Sequence, residues 1–98
     1  MFEIEKFRDR VQLICRELRL QRLELVGSAA RSDFSEQSDI DVLVSFSGDD
    51  RLLDRYFELK ERFEQVFERP VDVIEERAVK NPFFKKTIER DRVTLYGT

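Results

Sequence analysis

Leu25-Val26-Gly27-Ser28-Ala29-Ala30-Arg31 and, after a polar stretch, Ser38-Asp39-Ile40-Asp41-Val42-Leu43-Val44 are the segments whose reading decides the fold. The first is a short β-compatible run that stops at a glycine and continues into small residues suited to a helical turn. In the second, Ile40, Val42, Val44 and Phe46 alternate with Asp39, Asp41, Leu43 and Ser45, the period of a strand. Side chains two apart on a strand share a side, about 6–7 Å from one another. Asp39 and Asp41 therefore project together, while Ile40 and Val42 face a core. Two carboxylates that close repel one another unless a cation lies between them. Their place beside Val42-Leu43-Val44 points to a divalent cation, or a pair of them.

Working outward, Ile4, Phe7, Val11, Ile14 and Leu18 recur at helical spacing, which predicts an amphipathic helix over residues 3–20 with Cys15 at the margin of its apolar face, in core or near-core packing. A strand is predicted at 23–26, a turn and loop over 27–38, and a strand over 39–46. Ser47 or Asp49 is the expected N-cap of a helix from about 50 to 68, whose apolar face carries Leu52 or Leu53, Tyr56, Leu59, Phe63 and Val66-Phe67. Pro70 ends that pattern, and Val71-Asp72-Val73-Ile74 reads as a third strand. Asn81-Pro82 fits an N-cap followed by proline at the first helical position. Phe83, Phe84, Thr87 and Ile88 then give a short helix ending near Arg90, and Val93 to Tyr96 a last strand. The order α-β-turn-β-α-β-α-β predicts an α/β (α+β) domain with a small mixed sheet and helices packed against it. The 98 residues read as one domain, 1–98. Of the nine phenylalanines most belong in the core, with one or two of Phe34, Phe57, Phe83 and Phe84 expected at a partner surface.

Composition narrows the chemistry. There is no histidine and a single cysteine, Cys15, so imidazole bases, Ser-His or Cys-His nucleophiles and Cys-based zinc sites are excluded. Acid, base and metal chemistry must come from Asp and Glu, which favour a hard cation such as Mg²⁺. A formal net charge of −3, with both signs mixed along the helices, argues against a nucleic-acid grip through phosphates. No run approaches the roughly 20 apolar residues that span a bilayer, and the N-terminus lacks a signal-peptide layout, so a cytoplasmic protein is expected.

The third strand adds Asp72, whose flanking valines belong on the opposite face. If it lies beside the 39–46 strand, Asp72 joins Asp39 and Asp41. Three such aspartates can hold two metal ions that stabilise the attacking and leaving oxygens of phosphoryl or nucleotidyl transfer. Gly27 lets backbone approach phosphate oxygens, Ser28 offers a hydroxyl, and Arg31 a nearby positive charge. Singly, a Gly-Ser at a strand end is a turn, an Asp-x-Asp a solvated edge, and an Asp between valines an outward residue. Their joint order carries the reading.

Gly27-Ser28, ten intervening residues and Asp39-Ile40-Asp41 resemble the signature of the polymerase-β-type nucleotidyltransferases. The fuller stretch, with Val71-Asp72-Val73 and the strand from Val93 to Tyr96, resembles the minimal nucleotidyltransferases, the MNT antitoxins of HEPN/MNT toxin–antitoxin pairs. The resemblance covers residues from about 20 to 97. It implies a polymerase-β-like fold in which Asp39 and Asp41 bind two Mg²⁺ ions. Asp72 would complete the catalytic ion's shell and act as base, while Gly27 and Ser28 hold the triphosphate. Arg31 matches the family's Ala-Arg pair, and Ser32 stands where the family often has glycine. It further implies transfer of AMP from ATP to a tyrosine of a HEPN-type toxin whose surface completes an open cleft. The alternatives are a module that neutralises its partner by occlusion, or transfer to a small molecule.

Overall fold

The computed structural model describes residues 2–31, 34–35 and 37–97, apart from the side chains of Thr87 and Glu89. A 3-10 turn at Ile4–Phe7 leads into α1 (Arg8–Glu17) and β1 (Leu20–Val26). A second 3-10 turn at Gly27–Ala30 precedes β2 (Ile40–Phe46), α2 (Leu52–Phe67) and β3 (Val71–Glu75). A third at Glu76–Ala78 precedes α3 (Pro82–Arg90) and β4 (Val93–Tyr96). The strands lie in the order β3-β2-β1-β4. β1 is antiparallel to β2 and to β4, whereas β2 and β3, joined through α2, are parallel. This is the expected mixed sheet, and β3 does lie beside β2.

Two details differ from the sequence reading. The first helix stops at Glu17, well short of residue 20, because Arg19 takes a left-handed φ of 56° and Leu20 already pairs with Phe46 in the sheet. Neither Ser47 nor Asp49 caps α2: the N-cap position is Arg51, left-handed at φ 52° and without a side-chain cap bond. Cys15, by contrast, packs in the core as expected: it is fully buried, and burial pushes its thiol up to about 12, which leaves it protonated and inert. The start of α3 follows expectation, with Asn81 Oδ1 accepting from Phe83 N at 2.9 Å and Pro82 in the first turn.

Alternation along the strands splits the sheet into two unlike faces. One packs Leu23, Leu25, Ile40, Val42, Val44, Phe46, Val71 and Val73 against Val11, Ile14, Cys15 and Leu18 of the first helical segment and Leu59, Phe63 and Phe67 of α2. The other has only a thin apolar patch of Val26, Leu43 and Ile88, flanked by Ile74 and Val79. Leu43, placed by its spacing with the polar side chains of its strand, is buried there because Ile88 of α3 covers it. Phe57, Phe83 and Phe84 are exposed, in line with the expected partner surface. Phe34 is half-buried against Phe2 and is not part of that group.

The turn from β2 into α2 is organised by Arg55, which is only 5% exposed. Its guanidinium donates to the carbonyls of Leu18 at 3.0 Å, Asp50 at 3.0 Å, Arg19 at 2.7 Å and Ser47 at 2.8 Å. It also lies 4.9 Å from the centre of the Phe46 ring. One planar cation thus satisfies the end of α1, the chain reversal into β1 and the end of β2 together. Arg55→Ala removes this donor from all four carbonyls, of which that of Arg19 still accepts from the Ser47 N–H at 2.9 Å. At about 1–3 kcal/mol for each buried group left unsatisfied, the expected loss is at least about 3 kcal/mol, read by urea unfolding. Arg55→Lys should recover only part of it, since one ammonium cannot span four acceptors.

Candidate active site

The site forms on the thinly covered face. Parallel pairing of β2 and β3 sets Asp41 opposite Asp72, and antiparallel pairing of β1 and β2 sets Val26 opposite Asp41. The Gly27–Ala30 turn therefore begins immediately beside the Asp41 side chain. Gly27 has φ 69°, where side chains are strained, and a Cβ there would stand 3.2 Å from Asp41 Cγ and closer still to Oδ2. Gly27, read in the sequence as room for phosphate, is thus first of all room for the Asp41 carboxylate.

Asp41 is half-buried. Burial, and then the negative charges of Asp72 and Asp39, hold its carboxyl above the usual carboxylate range, while Arg31 acts in the opposite sense. Asp72 is exposed, and Asp39, just before β2, is exposed as well. Among the described residues no three carboxylate or thiol groups already converge as a closed metal cage. The donors nonetheless fit a hard divalent cation in kind: all are carboxylate oxygens, they repel one another, and burial first and that repulsion second make the central one slow to ionise.

A cleft of about 340 Å³ is lined by Val26, Gly27, Ser28, Arg31, Asp41, Asp72, Ile74, Phe84 and Ile88. Five of the six predicted site residues line it, and Asp39 does not. Arg31 sits 3.9 Å from Asp91 on the turn after α3. Ile74, Phe84 and Ile88 form an apolar wall that the sequence reading missed as site residues. Helical spacing marks Phe84 and Ile88 as one face of α3, but nothing local tells which part of the sheet that face covers. Ser32 lies outside the described residues.

The family model of the nucleotidyltransferase domain matches residues 4–95. A protein of Methanocaldococcus jannaschii named "putative protein adenylyltransferase" is 32% identical over 90 residues, which are 91% of this chain and 90% of that protein. A solved structure of a "putative minimal nucleotidyltransferase" superposes with a TM-score of 0.77 at 29% identity, covering 92% of this chain and 90% of that one. A solved complex of a Shewanella oneidensis MNT antitoxin with a tri-AMPylated HEPN toxin shares the fold at a TM-score of 0.69 and 19% identity, covering 98% of this chain and 74% of that one. The chain belongs to the nucleotidyltransferase domain family, and its fold is the polymerase-β-like one of the minimal nucleotidyltransferases.

The raised Asp41 pKa has a sign that can be checked. A carboxyl with a folded-state pKa above its unfolded value binds protons more tightly when folded, so its ionised form weakens the fold. That penalty is complete above the folded pKa and fades as pH falls through it. Asp41→Asn should therefore raise Tm at about pH 7.5, with the gap narrowing towards about pH 4, where the unfolded carboxyl also protonates. A Tm below wild type at the higher pH would contradict it. Gly27→Ala should cost about 1–3 kcal/mol of stability through its left-handed backbone, before any displacement of Asp41 is counted.

Proposed function

We propose that this nucleotidyltransferase moves AMP from ATP, with two Mg²⁺ ions, onto a tyrosine hydroxyl of a HEPN-type toxin, and so acts as the antitoxin of a cytoplasmic pair. Residues 1–98 act as one catalytic domain in this reading. The observation that carries it is the pairing of Asp41 with Asp72 directly beside the Gly27–Ser28 turn, in a cleft whose outer side is open. Further support comes from the name of the M. jannaschii relative and from the AMPylated toxin bound to a protein of the same fold.

In this mechanism Asp39, Asp41 and Asp72 would hold the cations, which would supply positive charge against the triphosphate and the charge that develops during transfer. Ser28 and Arg31 orient the phosphates, with Gly27 leaving space for Asp41 beneath them. The acceptor oxygen attacks the α-phosphorus, the bond to the β-phosphate bridging oxygen breaks, and pyrophosphate leaves with that electron pair. Asp72 takes the proton of the acceptor hydroxyl. The exposed position of Asp72 suits a base that must meet a residue arriving from another protein.

A second reading, neutralisation by occlusion alone, draws on the exposed Phe57, Phe83 and Phe84. One experiment separates the two. The protein is incubated with α-labelled ATP, Mg²⁺ and the protein encoded next to it, as wild type and as Asp39→Asn, Asp41→Ala and Asp72→Asn. Transfer predicts label on the partner with wild type only, and loss of protection in variants that still form the complex. Protection by all three variants would establish occlusion instead.

A further inference from the structure

Asp39 presents a positional problem. It is exposed, and the sheet register starts one residue later, at Ile40 opposite Val71. Strand pairing therefore does not fix it, although it must keep station with Asp41 to share a cation. Both of its neighbours are instead tied to one dipeptide, Arg69-Pro70. The Ile40 N–H donates to the Pro70 carbonyl at 3.1 Å. The Ser38 carbonyl accepts from Arg69 Nη1 at 3.1 Å, and the Ser35 carbonyl accepts from the same nitrogen at 3.3 Å.

Arg69 is itself held. It follows Glu68, which ends α2 in the left-handed region at φ 56°. Its guanidinium lies 4.8 Å from the centre of the Phe34 ring. Phe34 packs against Phe2 at 5.1 Å, and Phe2 against Phe67 of α2 at 5.5 Å. The segment it grips is already closed on itself, with Ser38 N–H donating to the Ser35 carbonyl at 3.0 Å and Ser35 N–H to Ser38 Oγ at 3.1 Å. A pre-formed turn, a stacked guanidinium and an aromatic cluster thus converge just before Asp39. Three residues after Arg69, on the same strand lead-in, stands Asp72.

We propose that Arg69 is a positioning residue: by holding the Ser38 carbonyl next to the Pro70–Ile40 bond, it sets the Asp39 carboxylate in place relative to Asp41 and Asp72. The inference rests on the assignment of these three aspartates as cation ligands, not on the identity of the acceptor. Arginine suits the task because its planar fork can bond carbonyls while its face lies on an aromatic ring; lysine offers the charge without the plane. Residues that orient ligands in this way typically account for about 10–100-fold in metal affinity.

The test is Mn²⁺ binding to the full chain, followed by paramagnetic resonance with and without a non-hydrolysable ATP analogue, beside thermal unfolding. Arg69→Met keeps the packed stem and removes the donors. Its Mn²⁺ Kd should rise about tenfold, the low end of the range for ligand-orienting residues. Arg69→Lys should recover part of that rise. In an Asp39→Asn background the same Arg69→Met change should add nothing further, as expected for two residues acting through one ligand. A lower Tm with an unchanged Mn²⁺ Kd, or an equal rise with and without Asp39, would overturn the proposal. Should Arg69→Met not fold, Arg69→Lys decides alone: a raised Kd supports the role and a wild-type Kd overturns it. If Asp39→Asn and Asp41→Asn themselves leave Mn²⁺ binding intact, the assignment of the ligands has failed rather than the role of Arg69.

Discussion

Two carboxylates held opposite each other on adjacent parallel strands set the terms for the rest of this molecule. Asp41 and Asp72 share a register position between β2 and β3, and Asp39 lies one residue before the sheet begins. Like charges at that spacing weaken the fold unless something positive comes between them. The charge cost falls on Asp41, which is half-buried and held above the usual carboxylate range by burial and by its two acidic neighbours. A sheet with one well-packed face can carry such a strain on the other. Helices α1 and α2 cover the first face with a continuous core, while among the described residues α3 covers part of the second through Ile88 over Val26 and Leu43, with Phe84 on the cleft wall. The cleft exists because that cover is partial.

Several side chains far apart in sequence serve the same few ångströms. Gly27 gives up its side chain so that Asp41 can occupy the space, and the same turn brings Ser28 and Arg31 to the cleft. On the opposite edge, Glu24 is buried and held by Arg92 through paired contacts to both its carboxylate oxygens, with Arg22 3.1 Å away. That pairing ties the start of β4 to β1, beside the turn whose Asp91 faces Arg31. Buried charge of this kind holds a place because removing one partner strands the other.

Much of this was legible in the chain. Alternation in Asp39 to Phe46 and the valines around Asp72 gave the strands their faces, since a period of two admits one arrangement once one side is apolar. The absence of histidine confined any metal chemistry to carboxylates. Asn81-Pro82 placed the start of α3. The shortened first helix and the start of α2 were less legible. Both depend on left-handed arginines, Arg19 and Arg51, and no residue-type preference announces arginine at positive φ. Arg55 likewise reads as an ordinary charge on a helix, because its four carbonyl acceptors come from two other stretches of chain, 18–19 and 47–50.

What the sequence alone determined is local: the strand faces, the carboxylate donors, the glycine between strand and turn, and through them the family. Only the tertiary structure decided that Asp72 stands opposite Asp41, that Gly27 is kept bare by a carboxylate as well as by its backbone, and that Ile74, Phe84 and Ile88 wall the cleft. The reason is physical. Periodicity and residue type fix where a side chain points within its own element, whereas distances between elements are set by packing and by hydrogen bonds such as those of Arg55 and Arg69, whose partners lie up to 37 and up to 34 residues away.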